Sequence, residues 1–150
     1  AILLLVGTAN VFGWILVSEH IPQMIANAVL SITTNKYLVI LLLNIVLIFV
    51  GMFMETIAAL IIFFIPLLTV AQGVGIDPIH FAVFAVLNLM IGLSTPPVGV
   101  CLFVCANIAR EPLMRVVKAL IPYIITNLIV LMLVSYIPAL STWLPSLLKN

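Results

Sequence analysis

Charge is the scarcest commodity in this 150-residue sequence. Five Lys and Arg, four Asp and Glu and two His are all it carries. Charged residues make up 6% of the chain, too few to keep a folded domain dissolved, so a water-soluble protein is excluded. A net charge of +1 supplies no basic patch, which removes any electrostatic basis for nucleic-acid binding. Cysteine is nearly absent as well. Cys101 and Cys105 lie four residues apart inside an apolar run. Helical spacing puts them on one face in a geometry poor for a disulfide. No His, Asp or Glu lies near enough in sequence to complete a transition-metal site, so both read as small packing residues. No nucleophile–base–orienter set is visible, and the chain is not expected to be an enzyme or to need an organic cofactor. Ala1 opens straight into apolar residues, with no Met and no basic leader. The expectation is a fragment of a longer membrane protein.

What is present is hydrophobicity: 66% of residues, in long runs. Between Lys36 and Arg110 only Glu55 and Asp77 carry charge. Residues 1–18 read as a transmembrane helix. Residues 20–34 repeat apolar positions at helical spacing and read as an amphipathic or interfacial helix. Residues 37–71 form two apolar limbs broken only near Glu55. Each limb is about 24–27 Å long, slightly less than the roughly 30 Å hydrocarbon core. They are either two full spans with a tight loop or a re-entrant hairpin with its tip near 54–56, and the short limbs favour the hairpin. Asp77 and Pro78 suit the N-cap and first turn of the next helix. Residues 78–109 are a transmembrane helix broken at Ser94-Thr95-Pro96-Pro97. Residues 113–137 form the last span, and 138–150 an interfacial tail. Arg110, Arg115 and Lys118 place that boundary in the cytoplasm, with Lys36 and Asp77 outside. The fold class is an all-α polytopic membrane protein.

The two interruptions at membrane depth hold the chemistry. Pro96 and Pro97 lack backbone N–H groups, so carbonyls upstream lose helical partners. Such carbonyls are hard oxygen ligands suited to Na⁺, and the hydroxyls of Ser94 and Thr95 add to them. The helix restarting after Pro97 offers N–H groups and a positive dipole end to an anion. Gly92 and Gly99 permit close approach on either side. A proline kink that only shapes packing is the alternative. Glu55 could bind a cation, carry a proton, or merely cap residues 56–58. Asn44, Asn88 and Asn107 read as interhelical hydrogen-bonding residues. His80 reads as an interfacial residue.

Gly75-Ile76-Asp77-Pro78-Ile79-His80-Phe81, then Asn88-Leu89, Ile91-Gly92 and Thr95-Pro96-Pro97-Val98-Gly99, carry a resemblance. Gly51, Met54-Glu55 and Pro66 fit the part before them. The chain resembles the C-terminal part of the large membrane (M) subunit of tripartite ATP-independent periplasmic (TRAP) transporters. The resemblance covers nearly the whole chain and corresponds roughly to the second of two inverted repeats. It implies a sodium-coupled importer of an organic anion in the bacterial inner membrane, working by an elevator-like movement. Candidate substrates are C4-dicarboxylates, sialic acid or another sugar acid. A periplasmic binding protein would deliver the substrate, and a small membrane (Q) subunit would support the large one. The resemblance places Na⁺, the coupling ion, on Gly51, Met54, Glu55, Thr56, Gly92, Ser94, Thr95 and Pro97. It places substrate on Ser94, Thr95, Pro96, Pro97, Val98 and Gly99. Three positions depart from the pattern: Glu55 where Asp is common, Val70 where a proline often stands, and Cys101 near a frequent Asn. A stand-alone sodium/dicarboxylate symporter and a non-transporting structural membrane subunit are the alternatives.

Overall fold

The computed structural model describes residues 11, 14, 15, 17–96 and 98–147. Most of the helix expected over 1–18, together with Pro97 and residues 148–150, lies outside the described residues. Seven complete helices follow one another: α1 (Ile21–Ile32), α2 (Lys36–Phe53), α3 (Thr56–Gly73), α4 (Pro78–Leu93), α5 (Val100–Ala109), α6 (Leu113–Tyr136) and α7 (Pro138–Leu147). There is no strand among the described residues. Helices α2, α3 and α6, of 18, 18 and 24 residues, are long and apolar enough to cross a membrane.

The starts of α2, α3 and α4 are set by side-chain caps. Asn35 accepts from the Tyr37 N–H, Glu55 from Ile57 and Ala58, and Asp77 from Ile79 and His80. Each cap satisfies donors that the first helical turn leaves unpaired. Pro78 occupies the first turn of α4, where its missing N–H costs nothing.

Helix α4 lies at the centre and packs against α2, α3 and α6. Phe81, Phe84, Ala85 and Leu89 bury one side of it. Val39, Leu43 and Leu47 of α2, and Ala59, Phe63 and Leu67 of α3, meet that side at four-residue spacing. The opposite stripe of α3 is just as apolar: Ile57, Ile61 and Ile65 are all exposed. A helix apolar on both its buried and its exposed faces belongs in lipid.

Interhelical contacts fix the directions. At one end Lys36 Nζ donates to the Gly75 carbonyl at 3.0 Å. Asp77 follows two residues later, so α2 and α4 start from a common edge and run parallel. Helix α3 brings the chain back to that edge. Helix α6 runs opposite to α4, its C-terminal end reaching the same edge, where Tyr136 Oη donates to the Tyr37 carbonyl at 3.2 Å. His80 Nε2 lies 3.0 Å from the Val134 carbonyl, and its ring meets Phe84 edge-on. His80, one turn from that edge, is buried rather than open, because α6 folds back over the first turn of α4. Asn107 also departs from expectation. Its Nδ2 donates to Phe103 O within α5, and it bridges to no other helix among the described residues.

Candidate functional site

Gly51 and Gly92 stand fifteen residues beyond Lys36 and Asp77 respectively. A common edge, parallel directions and equal offsets bring them to one level, about 22 Å along the helices. There the two backbones touch. A Cβ added to Gly92 would sit 2.7 Å from Gly51 Cα and 2.8 Å from the Ile48 carbonyl. A Cβ added to Gly51 would meet Leu89 O at 2.9 Å. Only glycine permits that approach. The turn between α2 and α3, formed by Met54 and Glu55, thus lies beside the break between α4 and α5.

A hydrogen bond joins the two interruptions directly. Gly99 N–H donates to the Met52 carbonyl at 3.3 Å. Gly99 holds φ +51, a left-handed conformation that redirects the chain into α5. Thr56 Oγ1 lies 3.8 Å from Met90 Sδ, a second, weaker contact across the junction. Gly51, Met54, Thr56, Gly92 and Gly99 are buried. Ser94, Thr95 and Val98 are half-buried, whereas Glu55 and Pro96 are exposed. All the described candidates therefore cluster in two adjoining segments.

The end of α4 is closed by its own residues. The Ile91 carbonyl accepts from Ser94 N–H at 3.1 Å, Ser94 Oγ at 3.0 Å and Thr95 Oγ1 at 2.7 Å. Thr95 N–H donates to Gly92 O at 2.9 Å. Each hydroxyl has one proton, and both protons are committed to Ile91. The hydroxyl oxygens keep only lone pairs to offer elsewhere, which suits a cation and not an anion. After Gly99, Leu102 N–H returns to the Gly99 carbonyl at 2.8 Å. The N–H groups of Val100 and Cys101 open α5 without intrahelical acceptors, as at any helix start. One junction thus presents lone pairs on one side and backbone donors on the other.

Glu55 adopts the capping role. Its Oε2 accepts from Ile57 N–H at 3.0 Å and Ala58 N–H at 3.2 Å. Glu55→Ala is expected to cost about 0.5–2 kcal/mol of stability through loss of the cap. Glu55→Asn, which keeps a capping oxygen and removes the charge, is expected to hold the unfolding midpoint. Thermal unfolding of both variants checks this, and a fall with Asn equal to that with Ala would show that capping is not the contribution.

Sequence reasoning missed the Met52 carbonyl. Its partner Gly99 was visible as a glycine, but a bond between segments 47 residues apart leaves no local signal. An apolar groove of about 530 Å³ runs along α6, lined by Ile125, Leu128, Ile129, Met132, Leu133, Tyr136 and Ile137. It shares no residue with the junction and offers almost no polar surface, so the chemistry lies at the junction instead.

A family model described as the DctM component of the tripartite ATP-independent periplasmic transporter matches residues 1–140. The chain belongs to this family. Among its relatives is the sialic acid TRAP transporter large permease protein SiaM of Vibrio cholerae, 42% identical over 144 residues. That alignment covers 96% of this chain and 34% of the relative. The isethionate TRAP transporter permease protein DctMQ of Oleidesulfovibrio alaskensis is 40% identical over 139 residues, covering 93% and 22%. The C4-dicarboxylate TRAP transporter large permease protein DctM of Vibrio cholerae is 37% identical over 149 residues, covering 99% and 33%. The chain thus spans about a third, or less, of the length of these relatives. DctM-family proteins are transporter permease components and not enzymes, and the apolar helices described above agree with a membrane protein.

Proposed function

We propose that this chain is the C-terminal part of a TRAP large permease that imports an organic anion with Na⁺. The observation that supports it most is the junction of the two interruptions, sealed by Gly51, Gly92 and the Gly99–Met52 hydrogen bond. Backbone irregularity at membrane depth is tolerated where it lines a binding cavity. Na⁺ would use oxygens of Ser94, Thr95 and the main chain of 51–56 and 92–97. The anion would sit against residues 94–99, toward the N–H groups that open α5. Relatives named for sialic acid, for isethionate and for C4-dicarboxylates differ in shape and acid group. A negatively charged head is what these names share.

In this reading α2 and α3 are a re-entrant hairpin, α4 and α5 are one discontinuous span, and the whole is half of an inverted repeat. The junction would carry its ligands by elevator-type displacement in the bacterial inner membrane. Arg110, Arg115 and Lys118 would face the cytoplasm. A small Q subunit and a periplasmic binding protein would complete the system. Affinity would reside mainly in the binding protein, because a membrane site that holds its ligand tightly releases it slowly.

The test is uptake into proteoliposomes holding the complete membrane subunits. Sialic acid, isethionate and a C4-dicarboxylate are tried in turn, each with its matching binding protein. Uptake of one of them is expected only with an inward Na⁺ gradient and the binding protein together. Equal uptake without the binding protein would favour the stand-alone symporter. Uptake indifferent to the Na⁺ gradient would remove sodium coupling.

A further inference from the structure

Given the reading of α6 as a membrane span, we propose that the face of α6 headed by Lys118 is a docking surface for an anionic phospholipid. The phosphate sits on the Lys118 ammonium, and an acyl chain runs along the apolar groove beyond it. Met114, Lys118, Ile121, Ile125, Leu128 and Met132 follow one another at alternating steps of four and three residues. They therefore fall on one face of α6. Lys118 is exposed, and so are Met114 and Ile121 on either side of it and Ile125 beyond. Ile125, Leu128 and Met132 line the groove of about 530 Å³. One cation thus heads a continuous apolar track, and there is open space along that track.

The depth of Lys118 suits a headgroup contact. It stands five residues past Leu113, about 8 Å into the helix, and helical side chains lean toward the N-terminal end. Its ammonium is carried back toward Met114 and the start of α6. Pro122 has no N–H to return to the Lys118 carbonyl, four residues earlier. Without that donor the oxygen is best placed in the headgroup layer, where water reaches it. From headgroup level to the middle of a bilayer is about 20 Å, half of the roughly 40–45 Å that includes the headgroups. On α6 that is about 13 residues, which runs from Met114 to the near end of the groove at Ile125 and Leu128.

Charge decides the kind of lipid. Glu111 is the last acid in the chain, and it is engaged by Arg115. Neither Lys118 nor Arg110 has a carboxylate partner among the described residues. A headgroup of net negative charge complements this end of α6, as anionic lipids do for basic residues beside a span. An apolar helix laid on the same face would have to bury the Lys118 ammonium or bring an acid to it.

The test uses the complete permease complex in nanodiscs of phosphatidylcholine. A trace of phosphatidylglycerol carries a photoreactive group midway along one acyl chain, and adducts are mapped by mass spectrometry after illumination. They are expected on residues 121–132. Lys118→Gln should lower their yield about fivefold, which corresponds to about 1 kcal/mol, and Lys118→Arg should keep it. A trace of phosphatidylcholine with the same photoreactive chain should label these residues about fivefold less than phosphatidylglycerol does. Equal labelling by the two lipids overturns the proposal. So does a yield unmoved by Lys118→Gln, or a face that takes no label because another part of the subunit covers it. If Lys118→Gln does not assemble, the comparison of the two lipids decides alone. Nanodiscs offer the lipids to both faces of the complex, so the outcome is independent of sodium coupling and of which face is cytoplasmic.

Discussion

Gly92→Ala is expected to lower uptake about tenfold or more, with a lower unfolding midpoint for the solubilised complex. The added methyl would lie 2.7 Å from Gly51 C and Cα and 2.8 Å from the Ile48 carbonyl. All three are backbone atoms, and no rotamer change removes them. The helices must separate, and overpacking of this kind costs about 1–3 kcal/mol. Separation also stretches the Gly99–Met52 bond, which is already 3.3 Å. Gly51→Ala should act in the same direction. Gly73→Ala is the control, because nothing lies within 4 Å of its added Cβ. Wild-type uptake and an unchanged midpoint for Gly92→Ala would show that the close approach is dispensable.

The double variant Ser94→Ala/Thr95→Ala is expected to raise the half-saturating Na⁺ concentration for uptake about tenfold. Two oxygen contacts worth about 1 kcal/mol each carry at least that factor. The reasoning rests on where the protons are. Both hydroxyls spend theirs on Ile91 O, at 3.0 and 2.7 Å, and keep lone pairs for an ion. The exchanged pair Ser94→Thr/Thr95→Ser keeps both hydroxyls and should retain the wild-type Na⁺ dependence. An unmoved Na⁺ curve in the double alanine variant, at normal expression, would take these hydroxyls out of the sodium site.

Much of this arrangement can be read along the chain because caps and breaks are local. Asp77-Pro78 announces the start of α4, and Ser94-Thr95-Pro96 its end, through chemistry contained in a few residues. The lone Glu55 marks the turn between α2 and α3, and its capping role was one of the roles open to it. The partnership of Asn44 with Asn88 was legible as a tendency of amides in apolar helices. What stays hidden is long-range. The meeting of Gly51 and Gly92 depends on two helices starting from one edge, and nothing near either glycine encodes that. Ser135 looks like any small residue in a span until α6 folds back over Asn44. The burial of His80 was hidden for the same reason: its cover arrives from 54 residues further on.

The burial of α6 is lopsided. Within its 24 residues, Leu131 and Ser135 are the ones buried. Its ties to α2 and α4 through Val134, Ser135 and Tyr136 all lie in its final turns. Arg115 lies twenty residues before Ser135, about 30 Å along the helix axis. Among the described residues, the hydrogen bonds that hold α6 to α2 and α4 are therefore gathered at its C-terminal end. Its chain neighbour α5 leans on it, and Arg115 pairs with Glu111 at the far tip. The far half of α6, exposed along this third of a permease, is thus surface that lipid or the rest of the subunit would cover.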